Sequence, residues 1–156
     1  MCLISAKRER LADEIIPVSV EHSNTYKDNE EDYAAAHVID LDWDTRSVTA
    51  PGSDGKSWLK VNLAGLNCIN QVIRYYEDGT PQFIWTCTST DCSSCKGYDC
   101  SNYLLTISAE RTSSDDLPII PDCRYGDTVK LEDVEGESFD VQEIAITGKQ
   151  GEIRYW

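Results

Sequence analysis

"SWLKVNL", residues 57–63, alternates in polarity along its length. Trp58, Lys60 and Asn62 fall on one side of an extended chain, and Leu59, Val61 and Leu63 on the other. Successive side chains of a strand point to opposite faces, so this stretch predicts a strand with one face toward a core. Similar runs lie on both sides of it. "IIPVSVEH" (15–22), "INQVIRYY" (69–76), "QFIWTCT" (82–88), "NYLLTISAE" (102–110), "DTVKLED" (127–133) and "FDVQEIAITG" (139–148) are rich in β-branched and aromatic residues. In the last of these, Val141, Glu143, Ala145 and Thr147 oppose Gln142, Ile144 and Ile146. "PGSDGK", "EDGTP", "SSDDLP", "CRYGD" and "VEGES" separate the runs with the residues that turns require. Helical signals are confined to "SAKRERLADEI" (5–15) and "EEDYAAAHVI" (30–39). About seven or eight short strands at this spacing predict an all-β sandwich.

The 156 residues make one domain, 1–156, with residues 1–11 expected as a flexible or expression-derived leading segment. The net charge of −14 excludes nucleic acid and anionic membranes as natural partners and favours cations. No apolar run approaches the roughly 20 residues that a spanning helix needs, so membrane insertion is not expected. "MCLISAKRER" is not a secretory signal. With seven cysteines, the expectation is a secreted chain whose signal has been removed.

Four of those cysteines crowd into "CTSTDCSSCKGYDC" (87–100). The spacing Cys87-x4-Cys92-x2-Cys95, with Cys123 beyond, matches a plant-type ferredoxin. Against that electron-carrier alternative, Asp91 adds negative charge beside a thiolate, the loop between Cys87 and Cys92 has no glycine, and a β-like run stands where a helix is needed. Zinc would want two close pairs of ligands, and only one CxxC is present. The reading is therefore disulfides among Cys68, Cys87, Cys92, Cys95, Cys100 and Cys123, in one of fifteen pairings, with Cys2 left over.

One long segment, "SVEHSNTYKDNEEDYAAAHVIDLDWDTRSVTAPGSDGKSWLKVNLAGLNCINQVI" (19–73), carries a family resemblance. "EHSNTY" reads as the family's Ser/Thr turn, "AAAHVIDLDWDTRS" as its alanine-to-aspartate loop and "WLKVNL" as its aromatic strand. "INQVI" follows, and "QEIAITG" (142–148) reads as its late acidic strand. Together they resemble the discoidin / coagulation-factor C-domain superfamily, galactose-binding-like, and within it the fucolectin-like branch. The resemblance covers about 130 residues and implies an eight-stranded jelly-roll β-sandwich with short helical turns.

It also implies calcium. Asp40 matches the family's central loop carboxylate and Glu143 the glutamate that closes the site. His37, Asp42 and Gln142 fall where the family supplies carbonyls, and Ser47 or Thr49 where it supplies a hydroxyl or carbonyl. Mixed carboxylate and carbonyl oxygens on a curved loop suit calcium. Leu41 departs from the family by standing where glycine is usual. The histidine and the arginine pair of the fucose pattern are missing, so fucose specificity does not carry over.

Sandwich lectins bind with the loops at one end, which makes Trp43, Arg46, Asp78, Lys96 and Tyr98 the ligand-binding candidates. Trp58 and Trp85, being on strands, are expected in the core. No catalytic motif is present, and His22 and His37 read as turn and loop positions rather than bases. The expectation is a non-enzymatic, extracellular, calcium-containing lectin or adhesion module that binds a glycan or glycoprotein, with self-association left open. The alternative is a structural or matrix protein that uses the same fold and acidic surface.

Overall fold

The computed structural model describes residues 7–50, 57–88, 91–94, 103–110, 123–133 and 140–149. In chain order the strands are β1 (Pro17–His22), β2 (Ser47–Val48), β3 (Trp58–Tyr75), β4 (Pro81–Thr88), β5 (Asp91–Ser94), β6 (Tyr103–Ser108), β7 (Arg124–Asp133), β8 (Asp140–Val141) and β9 (Glu143–Lys149). A single-turn helix α1 (Glu30–Tyr33) and 3-10 turns at Tyr26–Asp28 and Ala35–Ile39 lie between β1 and β2. The Asn29 side chain caps α1 by accepting from the Asp32 N–H at 3.2 Å, and three acids occupy its first turn.

The two strands expected over 57–63 and 69–76 are one 18-residue strand, β3. Its first half pairs with β1 and β7, and its second half with β4 and β9, all antiparallel. Between Asn62 and Asn67 the register with β7 jumps: Asn62 faces Thr128 and Asn67 faces Gly126. The surplus residues on β3 form a bulge, with Gly65 at φ +112°. The bulge redirects the strand, so β3 belongs to both layers. β5 and β6 extend the sheet at its two ends, and β2 and β8 form a separate two-stranded ribbon. The architecture is a galactose-binding-domain-like jelly-roll β-sandwich with short helical turns.

The core follows the alternation of "WLKVNL". Leu59, Val61 and Leu63 are buried and share one cluster with Ile69, Val72 and Ile84 of the second layer. On the opposite face Trp58 is only half-buried, which corrects its expected core position. Lys60 and Lys130 lie 5.7 and 5.4 Å from its ring centroid. Trp85 is buried as expected. β9 does not alternate in burial, because Glu143 through Thr147 are all buried.

The edge of β9 that β3 leaves free is taken by the N-terminal segment, where the helix expected over 5–15 is absent from residues 7–15. The Ile15 N–H donates to the Ile146 carbonyl at 2.8 Å, and the Gly148 N–H donates to the Asp13 carbonyl at 3.0 Å. Glu14 bridges to Thr147 and Lys7 to Asp42. From Lys7 onward the segment read as a flexible leader is thus laid across the sandwich as a strap. Gly148 permits close approach on the other side: a Cβ there would sit 2.0 Å from the Cys68 carbonyl oxygen.

Candidate functional site

The loop from His37 to Thr49 turns on its own carboxylates. Asp40 Oδ1 accepts from the Asp42 N–H at 3.0 Å and Oδ2 from the Thr45 hydroxyl at 2.6 Å. Asp42 Oδ1 accepts from the Asp44 N–H at 2.9 Å. Such side-chain bonds two residues onward curl the backbone tightly. Leu41, the departure from the family's glycine, is held left-handed at φ +63°. Its carbonyl accepts from the Arg8 N–H at 2.6 Å.

Glu143 stands against this loop, fully buried, and neither carboxylate oxygen has a hydrogen-bond partner. Burial pushes its pKa up to about 8; Arg8 opposes the rise and the Asp40 charge adds to it. The Leu41 N–H opposes the rise too, without reaching hydrogen-bond geometry. Arg8 Nε lies 3.9 Å from Glu143 Oε2, while Arg8 Nη1 and Nη2 bind Glu14 at 2.6 and 2.9 Å. A buried carboxylate without donors must be protonated or neutralised by a cation. Its surroundings, another carboxylate and a tight turn of backbone, fit a hard divalent cation. Among the described residues no three His, Cys, Asp or Glu side chains converge as ligands, so backbone oxygens would have to complete such a site.

The other expected metal-site residues are variously engaged. His37 Nδ1 donates to the Arg46 carbonyl at 2.9 Å and the Asp32 carbonyl at 3.2 Å, bracing the loop. Gln142 Nε2 donates to the Trp43 carbonyl at 3.1 Å, tying the loop to the junction of β8 and β9. Ser47 and Thr49 are buried, and the Ser47 hydroxyl meets His22 Nδ1 at 3.1 Å. His22 Nε2 lies 2.7 Å from the Thr25 hydroxyl, which itself donates to Glu30. Thr25 can therefore only accept from His22, so Nε2 carries a hydrogen. Burial lowers the His22 pKa, with the Glu30 charge pulling the other way.

Of the ligand-binding candidates, Trp43 is half-buried and packs edge-on to Tyr75 with ring centroids 5.5 Å apart, anchoring the loop. Asp78 is exposed and closes its own turn by accepting from the Thr80 N–H at 2.9 Å, which lowers its pKa. Arg46 is exposed and binds Asp140 Oδ2 at 3.1 Å, with its guanidinium 5.5 Å from the Tyr33 ring centroid. The Tyr33 hydrogen bond, then the Asp140 charge, raise its pKa.

Sequence reasoning missed Arg74, Tyr33, Tyr76 and Asp140. Arg74 Nη2 donates to the Asp140 carbonyl at 3.0 Å, and its guanidinium lies 5.2 Å from the Tyr76 ring centroid. Two arginines from distant parts of the chain thus meet on one residue, each beside a tyrosine. Lys96 and Tyr98 lie outside the described residues.

Cys68 and Cys123 form a disulfide with Cα atoms 5.3 Å apart, joining β3 to the start of β7. Cys87 is also disulfide-bonded. Cys92 stands opposite it in the β4–β5 register, while Cys95 and Cys100 lie outside the described residues. The ferredoxin alternative falls, because Cys87 and Cys123, two of its four ligands, are consumed in disulfides.

No protein-family model and no curated protein sequence matches the chain. Solved structures do. A fucose-binding module of Streptococcus pneumoniae aligns with TM-score 0.57 and 14% identity, over 88% of this chain and 98% of that one. The F5/8 type C domain of a Bacteroides fragilis protein aligns with TM-score 0.55 and 14% identity, over 90% and 100%. Chitosan-binding module 1 of a Paenibacillus sp. IK-5 chitosanase/glucanase gives TM-score 0.54 and 15% identity, over 86% and 96%. The chain has the discoidin-like, galactose-binding-like fold that these three share.

Proposed function

We propose that this protein is an extracellular, calcium-containing, lectin-like module that binds a glycan or glycoprotein and catalyses nothing. The observation that carries the reading is the cluster at one end of the sandwich, where Arg46 and Arg74 meet on Asp140 beside Tyr33 and Tyr76. Fixed guanidinium donors suit sugar hydroxyls, and tyrosine faces suit the apolar face of a pyranose. The fold's sharing with fucose-binding and chitosan-binding modules supports the class of ligand. Disulfide bonding of Cys68, Cys87 and Cys123 supports the secreted setting.

Calcium would be held by the Glu143 and Asp40 carboxylates with oxygens from His37, Asp42, Gln142 and Ser47 or Thr49. It would supply positive charge to an interior carboxylate and rigidity to the loop that carries Trp43 and Arg46. A glycan array probed in calcium and in chelator tests the whole reading. Binding of a defined glycan, weakened by chelator, is the expected result. An array blank in both conditions would sink the lectin reading and favour the matrix alternative.

A further inference from the structure

We propose that Arg8 is a tethered counter-cation for Glu143, carried in by the N-terminal strap to supply positive charge when no metal ion is bound. The corollary, that Arg8 competes with the ion, rests on the calcium reading above; the pairing itself does not. The Arg8 side chain is 3% exposed and the Glu143 side chain 0%. Arginine is almost never buried this far without an acidic partner. Glu14 is one such partner, bound by both terminal nitrogens. Arg10 also reaches Glu14, at 3.2 Å, so Glu14 has two cations and Glu143 has none of its own. The remaining Arg8 nitrogen, Nε, is the one turned toward Glu143, with the Tyr75 ring centroid 5.2 Å from the guanidinium carbon. At 3.9 Å this is an ion pair without a hydrogen bond.

The strap's main chain builds this geometry, not the Arg8 side chain. The Arg8 N–H is bound to the Leu41 carbonyl, and Asp13 and Ile15 are bound to β9 on either side of Thr147. The guanidinium is thus delivered to the interior between the calcium-type loop and the glutamate that would close it. A divalent ion entering beside Glu143 would meet a fixed positive charge in a medium that screens poorly. Arg8 therefore keeps the ion-free protein folded and weakens its hold on the ion.

The test uses the full chain as wild type, Arg8→Met, Glu143→Gln and the double variant, melted in chelator at about pH 8.5, where Glu143 is ionised, with calcium titrated calorimetrically into wild type and Arg8→Met at the same pH. Arg8→Met also strips Glu14 of a partner, and the double-mutant cycle subtracts that effect. The expected result is a large fall in melting temperature for Arg8→Met that Glu143→Gln largely restores. Arg8→Met should also bind calcium about tenfold more tightly than wild type, as removal of a nearby like charge requires. If Glu143→Gln shifts the melting temperature equally in both backgrounds, the counter-cation is refuted. Should Arg8→Met fail to fold in chelator, a folded double variant supports the pairing and an unfolded one overturns it. Equal calcium affinity in wild type and Arg8→Met overturns the competition. If neither binds calcium, the calcium reading fails, and the melting cycle still decides the role of Arg8.

Discussion

Replacing Glu143 with glutamine changes one heavy atom in the interior and should remove a large part of how stability responds to pH. In the metal-free protein the glutamate has its folded pKa raised from the ordinary 4.5 to about 8, with burial the largest cause. A carboxyl raised on folding is tolerated while protonated, so its contribution to stability is complete below about pH 4.5 and is lost as pH climbs through about 8. Each pH unit of that interval is worth 1.36 kcal/mol, which sets a ceiling of about 5 kcal/mol on the loss. Glutamine carries no charge and escapes it. Urea unfolding in chelator at pH 5.5 and pH 8.5 should therefore show wild type losing several kcal/mol more than Glu143→Gln between the two conditions. Comparing the two proteins cancels the self-repulsion of an acidic surface, which both share. Calcium at pH 8.5 should restore wild type and leave the variant unmoved. Parallel pH profiles for the two proteins in chelator would refute the argument, because Glu143 would then be charged at no cost in the folded state.

Arg46→Ala should lower glycan affinity at least about tenfold in calorimetry, while its melting curve stays near wild type, since an exposed side chain carries little stability. Replacing Cys68 and Cys123 together with alanine releases a closure spanning 55 residues. Chemical denaturation should register a loss of about 4 kcal/mol. Gly148→Ala should cost about 3 kcal/mol or more in the same assay, because the added methyl collides with the Cys68 main chain rather than with a yielding side chain.

Where one chemistry ruled a stretch, the sequence was readable. Leu59, Val61 and Leu63 announced their face by alternation alone, and Asp40 and Glu143 were found through the resemblance as parts of one neighbourhood. The join between the first two core runs was hidden, since nothing in "AGLN" distinguishes a turn between two strands from a bulge within one. Glu143 to Thr147 alternated in the sequence yet are buried on both sides, because Ile144 and Ile146 enter the main core while Ala145 packs on the other face with Ile73, Tyr75 and Trp43 of the distant loop. Arg8 was unreadable because it reaches Glu143 only when the N-terminal segment pairs with the edge of β9. In "SAKRER" it is one cation among three, and only its seat between Glu14 and Glu143 makes it different. Arg74 and Asp140 likewise mean little until the fold brings them together across 66 positions of chain.

The bent β3 has a consequence for how the protein assembles. Its first half pairs with β1 and β7 and its second with β4 and β9, so this single strand is hydrogen-bonded to segments stretching from Pro17 to Lys149. No subset of neighbouring strands can complete either layer alone, and β9, the last of the described strands, must arrive before the centre is closed. Pairings this distant place the chain among slow-folding topologies, with rates on the millisecond-to-second scale. They also leave little scope for one layer to melt while the other persists. A newly synthesised chain would expose the inner edge of β3 until β9 emerges, which makes the interval before β9 docks the time of greatest exposure to wrong partners.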